Sequence, residues 1–275
     1  MRNKSKRKWS WRIAAFMVFT GLLLMTGCVS EIPVSETEQE EMQKIIVGSD
    51  RYEPYIYLDE EGKFSGIDVE LATEAFRRMG YEPEFQEILW ENKKDALTDG
   101  TVDCLWGCFS MNGREDEYQW AGPYLYSSQV VVVREDSEIQ TVSDLTGKRI
   151  AVQETSKAEE YLLQLNNEKV PDVEMVYAFS NMDEVYAALR KGYVDAICGH
   201  ESALNVLVES APAQYRILKE NLFAVRLGVA FDKTYDPEFV RELDQILKDM
   251  MVDGTTARIV ERYGLDVEKA LDGGD

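Results

Sequence analysis

Histidine is almost missing from this 275-residue chain: it occurs once, at His200. Cysteine is scarce, present only at Cys28, Cys104, Cys108 and Cys198. These four show no metal-ligand spacing and no disulfide-rich framework, which excludes a zinc module and a small stapled scaffold. With Cys28 set aside, at most one bridge can form among the other three, and the spacing does not say which. Basic residues are few, 30 Lys and Arg against 51 Asp and Glu. Such a surface argues against nucleic acid and anionic lipid as partners and favours solubility outside the cell. No catalytic triad and no metal cluster is visible. The conspicuous uncharged run, residues 13–25, is too short to span a bilayer comfortably.

What surrounds that run decides the compartment. Arg2, Lys4, Lys6, Arg7, Lys8 and Arg12 precede it with no acid among them. A basic start and then an apolar stretch is the pattern of an export signal. An uncleaved anchor helix, extended by Trp9 and Trp11, and an ordinary signal peptide fit the same pattern. The run ends in Met25-Thr26-Gly27-Cys28. This resembles the lipobox of bacterial lipoproteins, with Met25 where leucine is usual. The resemblance implies loss of residues 1–27 and a lipid on Cys28, anchoring the chain to the membrane outside the cytoplasm. Residues 28–43 are acidic, lack apolar periodicity and read as a disordered tether. Removing the six basic residues leaves 24 Lys and Arg against 51 Asp and Glu, a formal charge of −27. Roughly 230 residues then remain, enough for two lobes.

An internal echo suggests how they are arranged. Residues 99–108 (DGTVDCLWGC) match residues 191–200 (KGYVDAICGH). Each reads as a helix end, a glycine stop and a short apolar strand, with helices expected upstream over 91–98 and 182–190. The halves also start alike: β-branched strands at 44–48 and 148–152, then helices over 66–79 and 157–165. Strand, helix, strand, helix, strand in each half predicts an α/β clamshell of two lobes with largely parallel sheets. Strands at 128–134 and 223–231 cross between the lobes as a hinge. Lobe one is then 44–127 plus 228–275, closed by helices over 237–252 and 257–263. Lobe two is 128–227. Ligands sit beyond the carboxyl ends of such strands, here at Asp50, Gly107 to Ser110, Gln153-Glu154 and Gly199-His200.

At this point the chain resembles the extracytoplasmic solute-binding proteins of polar amino-acid ABC transporters, bacterial solute-binding protein family 3, over residues 44–265. The most specific motif is Gly66-Ile67-Asp68-Val69-Glu70. Asp50 with Pro54-Tyr55, Gly100-Thr101-Val102-Asp103, Arg114-Glu115, Gly122-Pro123-Tyr124, Asp144-Leu145-Thr146-Gly147-Lys148, Gly192-Tyr193-Val194-Asp195-Ala196 and Asp253-Gly254-Thr255 follow the family order. The resemblance implies the type II periplasmic-binding-protein fold, a monomer that closes on an amino acid or related carboxylate, and an ABC permease as partner. It implies no cofactor, no metal and no nucleic acid.

The resemblance also implies site residues. Arg114 matches the arginine that pairs with the ligand carboxylate, a two-bond fork that a buried carboxylate requires. The loop before it is one residue short, so the hydroxyl position falls on Ser110 or, with the gap moved, on Phe109. Ser156 and Lys157 match the lobe-two side of carboxylate capture. Trp90 and Tyr52 match aromatic walls. His200 departs from the pattern, since an aspartate usually ends that strand and binds the ligand ammonium. Either Glu201 and Asp50 carry the ammonium, or the ligand is not an ordinary α-amino acid, or His200 is structural. A cleft-facing His200 predicts binding that varies with pH near its ordinary value of about 6.5. Two other functions fit the same fold: a sensor presenting its closed form to a membrane receptor, and a secreted dehydratase acting on cyclohexadienyl acids.

Overall fold

The computed structural model describes residues 42–164 and 171–272, which lie within one compact unit. The export signal, Cys28 and the tether up to residue 41 lie outside the described residues. The elements are β1 (Gln43–Ser49), β2 (Tyr57–Leu58), β3 (Phe64–Ser65), α1 (Ile67–Arg78), β4 (Tyr81–Glu87), α2 (Lys93–Thr98), β5 (Cys104–Leu105) and β6 (Gln119–Arg134). Then come β7 (Arg149–Gln153), α3 (Lys157–Leu162), β8 (Met175–Phe179), α4 (Met182–Arg190), β9 (Ala196–His200), α5 (Glu201–Ser210) and β10 (Tyr215–Ile217). β11 (Phe223–Phe231), α6 (Pro237–Val252), α7 (Thr255–Arg262) and α8 (Val267–Asp272) complete the chain. Among the described residues no helix is long and apolar enough to cross a membrane.

The strands follow the order β4-β1-β5-β11-β6-β9-β7-β8, with β10 also on β6. β1 runs parallel to β4 and β5 in one lobe, and β7 runs parallel to β8 and β9 in the other. β6 and β11 join the lobes as an antiparallel pair from Gln119↔Phe231 to Gln129↔Phe223. β6 begins well before the expected start at Ser128. Pro123 falls within it, where the register shifts between Leu227 and Val229. A bulge is a place where a sheet tolerates a residue without an N–H. β1 likewise begins at Gln43, which the sequence had assigned to the tether.

Helices follow their sequence signals. Asn181 caps α4 by accepting from Glu184 N at 3.0 Å, and Asp236 caps α6, whose first residue is Pro237. α6 buries Val240, Leu243, Leu247 and Met250 in the same apolar cluster as Leu71, Ala75 and Phe76 of α1. The expected helix over 91–98 is split, with a 3-10 turn at Trp90–Asn92 leading into α2.

The echo is a true internal repeat. Gly100 and Gly192 both take left-handed backbone, φ 76° and 71°, after the helices they stop. Asp103 accepts from Ile46 N at 2.7 Å, and Asp195 accepts from Arg149 N at 2.9 Å. Each aspartate thus ties its own strand to the first strand of its lobe. The same bond in both lobes makes Ile46 equivalent to Arg149. Further along those strands, Asp50 then corresponds to Gln153, and Cys108 corresponds to His200.

Candidate functional site

The equivalent strand ends meet. Asp50, just past β1, accepts a hydrogen bond from Gln153 Nε2 at the end of β7. Around this contact the two lobes enclose a cleft lined by Tyr52, Trp90, Phe109, Ser110 and Arg114 from lobe one. Gln153, Ser156, Lys157 and His200 line it from lobe two, and Gln129 lines it from the hinge strand. Gly107 also lines it, and a Cβ there would collide with the Ser49 side chain.

Arg114 is 9% exposed. Its guanidinium donates to the carbonyls of Ser110 and Thr155, each at 3.3 Å, and lies 3.3 Å from Glu160. It stands 5.3 Å from the Phe109 ring centroid. Phe109 is itself 1% exposed and packs against Trp90, Tyr118 and Trp120 at 5.0–5.4 Å. Its ring therefore forms the floor under the guanidinium. Ser110 Oγ lies 3.4 Å from His200 Nε2. Tyr52 stands edge-on to His200 at 5.7 Å, and its hydroxyl accepts from His200 N at 3.2 Å. Ser156 caps α3, and Lys157 Nζ pairs with Glu160.

The loop carrying Ser110 is held by a residue of the sequence motif. Asp68, fully buried at the start of α1, accepts from Cys108 N at 2.7 Å and from the Tyr124 hydroxyl at 2.9 Å. Cys108 has φ 51°, unusual for a residue with a side chain, and the Asp68 bond fixes that turn. Burial pushes Asp68 up to about 7. Cys104, Cys108 and Cys198 are buried free thiols.

Glu201 is not in the cleft. Its carboxylate pairs with Lys269 of α8 at 3.0 Å and lines a separate cavity behind the hinge. The reason is helical geometry: α5 starts at Glu201 and turns that side chain away from the one before it. Asp50 is left as the acid lining the cleft among the described residues. Burial raises its carboxyl to about 6, opposed by the Gln153 hydrogen bond. Burial first, and then the Arg114 charge, push His200 down to about 3. The ring is neutral at ordinary pH, so the expected histidine inflection near 6.5 is displaced far to acid.

Sequence reasoning missed Lys93 and Gln129, and it placed Gln153 at a cleft-lining strand end without giving it a role. Lys93 is 6% exposed, lies 5.0 Å from the Trp90 ring centroid and donates to Thr155 Oγ1 of the opposite lobe at 2.7 Å. Burial first, and then Arg114, lower it to about 8. Its signal was a lysine three residues after Trp90, on the inner face of a helix. Gln129 was the polar residue at the edge of a run of valines.

The model of the bacterial extracellular solute-binding proteins, family 3, matches residues 45–266. The L-cystine-binding protein TcyA of Bacillus subtilis (strain 168) is 30% identical over 222 residues, 79% of this chain and 80% of that protein. The structure of an ancestral arginine-binding protein bound to arginine superposes with a TM-score of 0.74 at 26% identity, covering 81% of this chain and 99% of that one. The ancestral amino-acid-binding protein AncCDT-1, a precursor of cyclohexadienyl dehydratase, has a TM-score of 0.72 at 25% identity, covering 80% and 95%.

Proposed function

We propose, from the premise that the chain belongs to the bacterial extracellular solute-binding proteins of family 3, that it captures an amino acid or a close relative in the interlobe cleft and delivers it to an ABC permease. The observation that carries the ligand class is Arg114, a nearly buried guanidinium facing a cleft and held there by backbone carbonyls. A fixed fork of donors suits a carboxylate. Ser110 lies beside it to add a hydroxyl, with Ser156 and Lys157 on the opposing lip. Trp90 and Tyr52 are the walls, and Asp50 is the acid for a cationic group. TcyA and the arginine-binding structure support an amino acid as that ligand. The chain works as an extracytoplasmic monomer tethered by a lipid on Cys28. Its moving bodies are residues 44–127 with 228–275, and residues 128–227. Binding without turnover is the reading; the likeness to AncCDT-1 supports the dehydratase alternative.

A thermal-shift screen against amino acids, their derivatives and cyclohexadienyl acids tests this. A ligand at about 100 times its dissociation constant stabilises by roughly 2.7 kcal/mol. The expected hit is an amino acid whose shift is lost in Arg114→Ala. Turnover of a cyclohexadienyl acid would replace binding by catalysis.

A further inference from the structure

The two cations that face the ligand's carboxylate in the reading above already share a carboxylate of the protein's own. Glu160 of α3 lies 3.3 Å from Arg114 Nη2 of lobe one, and it pairs with Lys157 Nζ of its own helix. The lips touch at this point. Gly113, next to Arg114, has left-handed backbone at φ 72°, and a Cβ there would stand 2.8 Å from Lys157 Nζ. One acidic side chain therefore bridges a cation of each lobe across the mouth of the cleft.

Burial sets the three side chains apart. Those of Arg114 and Lys157 are each 10% exposed, and that of Glu160 is 43% exposed. Cations withdrawn so far from water need an anion beside them. Glu160 meets that need while keeping one side open to solvent, so it can swing out at little cost in hydration. A ligand carboxylate cannot simply join it. A two-bond fork from a guanidinium draws on Nη2, whether end-on or side-on, and here Nη2 also donates to the Thr155 carbonyl at 3.3 Å. Two carboxylates crowded on one pair of cations also repel each other. The space enclosed in the cleft is about 20 Å³, room for about one water molecule. An amino acid enters only as contacts across the cleft part.

We propose that Glu160 is an internal stand-in for the ligand's carboxylate: it bridges Arg114 and Lys157 to hold the lips together, and the ligand displaces it from Arg114 in order to bind. This rests on the assignment of the ligand's carboxylate to Arg114 and adds the group that competes for it. Glu160 thereby sets how strongly a carboxylate must bind before it is captured.

Calorimetric titration of the standard amino acids and L-cystine into wild type, Glu160→Gln and Glu160→Asp tests this, together with X-ray scattering of the three proteins. Glu160→Gln removes the charge. Glu160→Asp keeps the charge but ends one methylene short of Arg114. Both variants should bind the amino acid that wild type binds about fivefold more tightly. Both should be more extended than wild type when free and match it when saturated. Unchanged or weaker binding in Glu160→Gln overturns the proposal, since Glu160 then stays on Arg114 beside the ligand or never held it. Tighter binding in Glu160→Gln with wild-type affinity in Glu160→Asp also overturns it, because the gain then belongs to the field of the charge and not to the contact. Equal radii for the three free proteins overturn it whatever binds. Each of these leaves the amino-acid reading standing. Binding of no amino acid by any of the three proteins overturns both.

Discussion

Asp50 is the residue on which the charge balance of the cleft turns. It lies near Lys93, yet burial holds its carboxyl at about 6. A raised carboxyl is protonated in the fold at pH values where the unfolded chain is already ionised. An amino group bound opposite it needs the carboxylate form. Affinity for a cationic ligand should therefore climb as pH rises through about 6 and level off above it. At pH 5 it should be about tenfold below the plateau. Asp50→Asn should give weaker and flatter binding across that range, as titration calorimetry at several pH values would show. His200 contributes no inflection there, because its ring stays neutral down to about 3. Its effect is on the apo fold: a depressed histidine favours the folded state above the unfolded value near 6.5, and that contribution is lost as pH falls toward 3. The same physics bears on Arg114. Removing one partner of a buried charge pair costs about 3–5 kcal/mol, so Arg114→Ala should weaken ligand binding a hundredfold or more. Arg114→Lys should rescue little of it, since a point charge cannot replace the fork.

At the scale of elements, the loop that presents Ser110 depends on α1. Asp68 accepts two buried hydrogen bonds there, from Cys108 N and the Tyr124 hydroxyl. Asp68→Ala would leave both donors unpaired at about 1–3 kcal/mol each and loosen the ligand loop as well. Asp68→Asn keeps an acceptor and isolates the charge. With its folded value near 7, above that of the unfolded chain, Asp68 makes the protein less stable as pH rises from about 4 through 7. Denaturant melts at pH 6.5 and 8 should show wild type losing stability where Asp68→Asn loses less. Equal slopes in the two proteins would mean that Asp68 is already ionised in the fold. The motif around Asp68 was legible in the sequence, but its task was not, because no spacing rule says that a helix start will brace a loop forty residues away. α4 and α6 were legible to the residue, since Asn181, Asp236 and Pro237 are local signals. The turn at residues 90–92, α8 and the early start of β6 were not. Each is decided by packing or by a bulge on a partner strand. Glu201 shows the same limit: its neighbour faces the cleft, and one helical step turns Glu201 out of it.

For the molecule as a whole, what matters is that the sheet runs unbroken through β6 and β11 while the lobes meet again at the cleft and in the Glu201–Lys269 pair behind the hinge. The crossing contacts are polar and individually modest: Asp50 with Gln153, Tyr52 with His200, Arg114 with Thr155, and Lys93 with Thr155. Such hydrogen bonds contribute about 1 kcal/mol each, or about 1.5–3 kcal/mol where the donor is charged, and a ligand adds to them. A carboxylate held by Arg114 of lobe one would also meet Ser156 and Lys157 of lobe two, contacts that exist only when the lips are together. It shifts the population by its differential affinity for the closed form. The hinge then requires a specific pattern in X-ray scattering. Saturating ligand should lower the radius of gyration of wild type. Lys93→Met, which removes a bond reaching from lobe one to Thr155, should make the free protein more extended while the saturated protein keeps the wild-type value. That combination would identify Lys93 as a closure contact rather than a ligand contact. Scattering curves unchanged by ligand in both proteins would remove the clamshell motion, even if binding itself were measured.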